Sequence, residues 1–153
     1  MNADPTYASY REEMLSAGIE FQDHVCEVMA REAALVVQVF SSRASQLEKG
    51  ESRQKIEIKL DQGFRRTGNL FIEVTEKAEP SRPEFTPSGI YSRTRPRMIV
   101  IGDAETFWLF STKHLAIARA RYPEVENRTH TAKGFLLPVA RADTLAVLKF
   151  VKI

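Results

Sequence analysis

Charged and apolar residues alternate along two short segments, residues 55–61 and 69–77. In a β-strand every second side chain lies on the same face, so each segment is predicted to be a strand with one charged face. The charged faces carry Glu57, Lys59 and Asp61 in the first segment and Phe71, Glu73, Thr75 and Lys77 in the second. If the two strands are neighbours, carboxylates and ammonium groups meet on one patch. Metal-dependent enzymes hydrolyse phosphodiesters with such groups.

Hydrolysis of a phosphodiester requires an activated water and stabilisation of charge on the phosphoryl oxygens, and Mg²⁺ or Mn²⁺ supplies both. Mg²⁺ prefers hard oxygen ligands and usually takes few carboxylates from the protein. Asp61 and Glu73 provide two such ligands, and the backbone carbonyl of Val74 is a natural third. A lysine in the patch would orient the water or neutralise developing charge. The competing interpretation is a solvated strand face with cross-strand ion pairs.

A basic region, residues 65–97, follows the first charged segment. Carboxylates alone would repel a polyanion, so an enzyme that acts on nucleic acid needs cations beside them. Side chains of this region that could contact phosphates or stack on a base are Arg65, Arg66, Arg82, Ser88, Tyr91 and Arg93. The alternatives are a solvated arginine-rich loop and a loop that packs its apolar residues on the sheet.

The elements that precede the charged segments are predicted from apolar spacing. Helical spacing of apolar residues predicts a helix over residues 5–33, with Asp4 as its cap and Gly18 as a point where it can divide. A short β-branched run predicts a buried strand at residues 35–40. The polar residues 41–52 are predicted to form a loop.

The connection at residues 62–68 contains two glycines and therefore favours an antiparallel hairpin between the charged strands. Prolines exclude regular structure over most of residues 78–96. The remaining predicted elements are a hairpin of residues 98–101 and 106–111, a helix over 113–121 capped by Thr112, a loop at 124–134, and strands at 135–139 and 144–151. This order predicts one α/β (or α+β) domain, residues 1–153, with a central mixed sheet flanked by helices.

Asp61, Glu73 on the next strand and Glu20 on the preceding helix resemble the PD-(D/E)XK nuclease superfamily, which includes restriction endonucleases and Holliday-junction resolvases. The family core is a helix, a hairpin-bearing mixed sheet and a second helix, and it corresponds to residues 18–121. The resemblance implies a restriction-endonuclease-like core with Asp61 and Glu73 as the paired acids and Glu20 as an accessory acid. It also implies a metal-dependent nuclease that hydrolyses DNA.

The family pattern has a lysine two residues after the second acid, where this chain has Thr75. Two lysines can replace it. Lys77 lies one pleat further along the Glu73 face, and Lys59 lies on the Asp61 face of the other strand; the strand direction favours Lys77. A second register takes Glu57-Ile58-Lys59 as the acid-x-lysine triplet. It ranks lower because the strand at residues 35–40 ends without an acid.

Composition limits other functional classes. The chain has 153 residues and a formal net charge of +2, which suits one globular domain. Cys26 is its only cysteine and the three histidines lack ligand spacing, so a zinc site is not indicated. No apolar run approaches a membrane span and the N-terminus lacks a signal-peptide pattern, so we expect a cytoplasmic protein without a membrane partner.

Two other functions remain open from the sequence. A catalytically inactive relative would bind nucleic acid or a protein partner, which is consistent with Thr75 in place of lysine. An unrelated interaction module would simply expose its charged strands to water. Because a domain of this size covers little duplex, cutting both strands of DNA would require a homodimer or a partner.

Overall fold

The computed structural model describes the backbone of residues 5–153 and the side chains from Tyr7 onward. Asp4, the predicted helix cap, lies outside these residues. The helices are α1 (Pro5–Ala33), α2 (Arg43–Lys49), α3 (Phe64–Thr67), α4 (Thr112–Ala118) and α5 (Val139–Leu145). The strands are β1 (Ile56–Leu60), β2 (Asn69–Glu76), β3 (Thr86–Pro87), β4 (Met98–Gly102), β5 (Thr106–Ser111), β6 (Val125–Glu126), β7 (Ala132–Pro138) and β8 (Leu148–Val151).

The strands form two four-stranded sheets. The first has the order β1-β4-β5-β8 and is mixed, because β1 runs parallel to β4 whereas the other pairs are antiparallel. The second has the order β3-β2-β7-β6 and is entirely antiparallel. The predicted class, a mixed α/β chain with a mixed sheet flanked by helices, is confirmed. Strands that follow residue 121 complete both sheets, beyond the span of the expected core.

Two apolar clusters join these layers. One cluster joins α1 to the first sheet and includes Val25, Met29 and Ile58. The other joins the two sheets to each other and to α4 and α5, and it includes Ile72 and Trp108. Because side chains alternate along a strand, β1 gives its isoleucines to the α1 cluster and turns its charged residues to the other side. Within residues 5–153, no helix combines the length and the apolar character that crossing a bilayer requires.

The predicted hairpin between the charged strands is wrong. The connection between them contains α3, which starts where Asp61 Oδ1 accepts hydrogen bonds from the backbone N–H groups of Gly63 and Phe64. It ends at Gly68, whose left-handed conformation (φ 73°) suits glycine. The helical turn leads the chain out of the first sheet, so β1 and β2 belong to different sheets. Over the described residues, β1 pairs only with β4.

Of the other predictions for residues 5–111, some are confirmed and others differ from the structure in detail. The first helix is confirmed and runs through Gly18 without a break, and the β4–β5 hairpin is also confirmed. Residues 35–40 form only an isolated bridge, Val39 to Ser52, instead of a buried strand. The predicted loop at 41–52 contains α2, because the Ser42 side chain caps it by accepting from the Ser45 N–H.

The C-terminal elements are also rearranged. The helix predicted over 113–121 begins at Thr112, so the predicted cap is instead its first residue and Ser111 precedes it. It is α-helical to Ala118 and ends in a 3₁₀ turn, Arg119–Arg121. Strand β7 begins at Ala132, earlier than predicted, inside the expected loop. The second half of the tail contains α5 before the short strand β8, so the strand predicted over 144–151 is half as long.

Candidate functional site

Glu73 lies in the middle of β2 at a point where the backbone is closely surrounded. A Cβ at Gly89 would collide with the carbonyl oxygen of Glu73, and a Cβ at Gly134 would collide with that of Ile72. A β-bulge shifts the β2–β7 register between Glu73 and Thr75. Bulges of this kind re-aim side chains and are frequent next to active sites.

Ser88 fixes the Glu73 carboxylate. Its hydroxyl donates to Glu73 Oε1 at 2.8 Å, and its backbone N–H donates to the Val74 carbonyl at 3.0 Å. The serine is buried, so its hydroxyl is reserved for the glutamate and does not face solvent. The loop that contains the predicted phosphate contact therefore holds the carboxylate in place.

Lys59 brings the first sheet to Glu73. Its ammonium lies 3.0 Å from Glu57 Oε1 on the same strand and 3.9 Å from Glu73 Oε1 on β2. Burial of the ammonium by itself lowers the pKa of Lys59, but the carboxylates of Glu57 and Glu73 outweigh that effect and raise it above its usual range. Lys59 is therefore a permanent cation at neutral pH.

Asp61 follows β1 and connects the two sheets. Besides starting α3 with Oδ1, it accepts a hydrogen bond through Oδ2 from the backbone N–H of Phe71 at 2.9 Å. This contact occupies a position on the β2 edge that a neighbouring strand would otherwise fill. The first acid and the second acid thus lie near each other although their strands do not pair.

Lys59, Asp61 and Glu73 line one cavity of about 500 Å³, here called the lysine cavity. Its other walls include Tyr10 and Met14 of α1, Phe71 of β2, and Asn127 and Arg128 from the loop before β7. A second cavity of about 380 Å³, here called the arginine cavity, is lined by Arg11, Arg43, Glu73, Glu76 and other residues. Glu73 and Asn127 line both, so the two cavities adjoin at Glu73.

A hard divalent cation requires a set of oxygen donors around one point. No set of three or more His, Cys, Asp or Glu side chains among the described residues is arranged to hold a metal ion. A carboxylate has about four acceptor sites, of which backbone N–H groups use three on Asp61, and a carbonyl such as that of Val74 has two. Mg²⁺ keeps several waters and takes one or two carboxylates. Asp61 and Glu73 are the two carboxylates that line the lysine cavity, and a hydrated ion there would have these two as its protein carboxylate ligands.

Thr75 supports a polar occupant near Glu73. It takes the position of the family lysine, and its buried hydroxyl has no hydrogen-bond partner within the described part of the chain. A buried hydroxyl without a partner is costly, so a water or another polar ligand is expected beside it.

The other predicted catalytic residues lie elsewhere. The Lys77 ammonium lies over the ring of Phe85, 4.7 Å from its centre, although the side chain borders the arginine cavity. Of the two candidate lysines, Lys59 is the one paired with Glu73. Glu20 is exposed on α1 and lines a separate depression with His24 and Asp103.

The predicted nucleic-acid contacts are dispersed. Arg65 makes a bidentate pair with Asp103, at 2.6 and 2.9 Å, and is therefore engaged within the protein. Tyr91 is 39% exposed and lies beneath the guanidinium of Arg119. The other arginines of the set, Arg66, Arg82 and Arg93, are exposed, as Arg65 is. None of these side chains borders the two cavities.

Sequence reasoning missed the wall that α1 contributes. Tyr7 and Arg11 line the arginine cavity, and Tyr10 and Met14 line the lysine cavity. The i, i+3, i+4, i+7 spacing of these residues does predict a shared helix face. Nothing in the spacing, however, shows that this face covers Glu73.

Glu51 is a further carboxyl group close to the site. It accepts hydrogen bonds from the Gln22 side chain on α1 and from the Ile58 N–H on the outer edge of β1. Burial, reinforced by the negative charge of Glu57, raises the pKa of Glu51 to about 7. This carboxyl group therefore titrates near neutrality, within the Coulombic range of Lys59.

Comparison with known proteins gives no independent assignment for these residues. No protein-family model, curated protein or solved structure matches the chain.

Proposed function

We propose that this protein is a nuclease that hydrolyses DNA phosphodiester bonds with Mg²⁺ or Mn²⁺. The observation that carries the proposal is the convergence of Lys59, Asp61 and Glu73 on one cavity from two different sheets. The 3.9 Å separation between the Lys59 ammonium and Glu73 Oε1 supports Lys59, in preference to Lys77, as the catalytic lysine. The residue types are those that suggested the resemblance to PD-(D/E)XK nucleases, but the two acids come from different sheets and not from the hairpin that the resemblance implies.

Asp61 and Glu73 would hold the metal ion, with water as its other ligands. The Val74 carbonyl, expected from the sequence as a third ligand, accepts the Ser88 N–H, and Val74 lines neither cavity. The metal ion would supply positive charge at the phosphoryl oxygens and favour deprotonation of the attacking water. Lys59 stays protonated because its pKa is raised, so it orients the water and stabilises charge as a cation instead of accepting a proton. Ser88 positions Glu73 through its hydroxyl.

The main test is a cleavage assay on linear, supercoiled, single-stranded and branched DNA with Mg²⁺, Mn²⁺ or EDTA. We expect cleavage with either metal and none with EDTA. Glu73→Gln and Asp61→Asn should each reduce the rate by about 100-fold or more, because each removes a charged ligand. Cleavage unaffected by both changes would refute the site.

A matched pair of lysine variants tests the role of Lys59. Lys59→Met removes the cation beside Glu73, and we expect a loss of about 100-fold in the rate. Lys77→Met removes a cation whose ammonium lies over Phe85, and we expect the much smaller loss. A larger loss of cleavage rate in Lys77→Met than in Lys59→Met would assign the catalytic role to Lys77 instead. Thermal unfolding of both variants shows whether each protein is folded.

Metal binding can be measured without turnover. A ligand that binds only the folded state raises its stability by mass action. Mg²⁺ or Mn²⁺ should therefore raise the unfolding temperature of the wild type but not that of Glu73→Gln combined with Asp61→Asn. DNA binding without metal-dependent cleavage or a metal-dependent shift in unfolding temperature would instead support the inactive, nucleic-acid-binding alternative.

The proposed compartment is the cytoplasm, and a homodimer is the proposed route to double-strand cutting.

A further inference from the structure

The wall that α1 forms over Glu73 borders both cavities. In the lysine cavity it presents Tyr10 and Met14, and Phe71 of β2 lines the same cavity. In the arginine cavity it presents Tyr7 and Arg11, which are joined there by Arg43 from the first turn of α2. Aromatic and cationic side chains of the wall therefore lie around the proposed catalytic glutamate.

We propose that the lysine and arginine cavities form one binding path for an unpaired polynucleotide strand, with a base on Tyr10 and the adjoining phosphate at Arg11 and Arg43. The inference rests on the proposed function, since it gives the substrate class of the same site.

Aromatic rings favour an unpaired strand. Single-strand binding sites combine cations that follow the phosphates with aromatic side chains on which bases stack. A base inside a duplex already has neighbours on both faces, so it gains nothing from such a ring. Tyr10 is 47% exposed and borders the cavity, which leaves its ring accessible to a base.

The arginines explain how an acidic site accepts a polyanion. Glu73 and Glu76 line the arginine cavity and would repel a phosphate. Arg11 and Arg43 come from two different helices and border the same cavity, so they offset these charges. Arg128 adds a cation to the lysine cavity, which Glu73 also lines. A phosphate where the two cavities adjoin would thus have cations in both.

The binding experiment uses the full-length Glu73→Gln protein in EDTA, so that no cleavage is needed. Fluorescence anisotropy compares a labelled single-stranded oligonucleotide with a hairpin duplex of the same sequence over a range of salt concentrations. We expect tighter binding of the single strand. Tyr10→Ala should weaken it by about tenfold through the loss of one stacked base, whereas Tyr10→Phe should retain it.

The arginine variants give a second readout. Arg11→Ala and Arg43→Ala should each weaken binding and lower the slope of log K against log salt by about 0.7, the value for one phosphate contact to a single strand. Arg31→Ala is the matched control, because Arg31 lies on the same helix but about 30 Å from Arg11 at about 1.5 Å per residue. We expect its affinity and salt slope to equal those of the parent.

Two results would overturn the inference: equal or tighter binding of the duplex, or an affinity and salt slope unchanged in the Tyr10→Ala and Arg11→Ala proteins. These outcomes are separable from failure of the proposed function. Selective single-strand binding with no metal-dependent cleavage by the wild type refutes catalysis alone. Cleavage that persists while the Tyr10 and Arg11 variants bind normally refutes the path alone.

Discussion

The two faces of β1 contact different parts of the molecule. Ile56 and Ile58 are buried in the apolar cluster under α1, whereas Glu57 and Lys59 lie on the opposite face, and Lys59 reaches Glu73 of the second sheet. Positions that are adjacent in the chain are thus separated by function. One face stabilises the fold, and the other supplies charge to the proposed site. Substitutions one residue apart should therefore have different consequences.

The largest effect on stability is expected from Ile58→Ala. Ile58 is buried among apolar side chains of α1 and the first sheet, and removing such a side chain costs about 3 kcal/mol in free energy of unfolding. Urea unfolding measures the loss. The cleavage rate per folded molecule should stay close to the wild-type rate, whereas that of Lys59→Met should fall by about 100-fold. A folded Ile58→Ala protein that cleaves as slowly as Lys59→Met would show that the two faces are not independent.

An intermediate effect on stability is expected from Glu51→Gln. Glu51 interacts with residues from both faces of β1, because it accepts a hydrogen bond from the Ile58 N–H and lies within Coulombic range of Glu57. The pKa of Glu51 is raised from 4.5 to about 7, mainly by burial and then by Glu57, so the folded state holds a proton that the unfolded chain has released. The stability associated with Glu51 is therefore full below pH 4.5 and falls as the pH rises to about 7.

The Glu51→Gln variant should remove this dependence. At about pH 8 we expect it to be more stable than the wild type by about 2 kcal/mol, with the difference vanishing in acid. Thermal unfolding across the pH range is the measurement, and Glu48→Gln, an exposed glutamate on α2, is the control. A wild-type protein whose stability rises between pH 5 and 7 relative to Glu51→Gln would contradict the burial of this carboxyl group.

The smallest change in stability is expected from Ser88→Ala, which removes only a contact to Glu73, the partner of the charged face of β1. Losing the hydrogen bond to Glu73 should cost about 1 kcal/mol of stability. It should also raise the Mg²⁺ concentration needed for half-maximal cleavage by about tenfold, since groups that orient a metal ligand tune the affinity for the metal. A titration of Mg²⁺ in the cleavage assay measures this, with Ser92→Ala in the same loop as the control. A cleavage profile identical to wild type would show that Ser88 only stabilises the loop.

Much of the local structure follows from the sequence. Alternation located β1 and β2 to within about two residues, and helical spacing identified all of α1. Alternation does not identify a partner strand, however. The partner of β1 is β4, which lies far along the chain. The glycines of residues 62–68 suit a hairpin as well as the helical turn that forms there, so they do not distinguish the two.

The wrong hairpin between β1 and β2 affects the predicted fold more than the predicted site. Asp61 and Glu73 line one cavity because the Asp61 carboxylate binds the open edge of β2, a contact that no strand periodicity encodes. The choice of Lys59 over Lys77 as the partner of Glu73 required the relative placement of two sheets. The α1 residues over Glu73 were missed for a similar reason, since a helix pattern defines a face but not what the face covers.

The placement of Lys59 and Glu73 on separate hydrogen-bonded ladders has a mechanical consequence. Within one sheet, the gap between two side chains is set by strand spacing and changes little. Across these two sheets it is set by the apolar residues that lie between them, such as Ile72 and Ile101. The opening of the lysine cavity is thus adjustable through side-chain volume alone, so enlarging or trimming those residues offers a means to widen or narrow the cavity without altering any charged group.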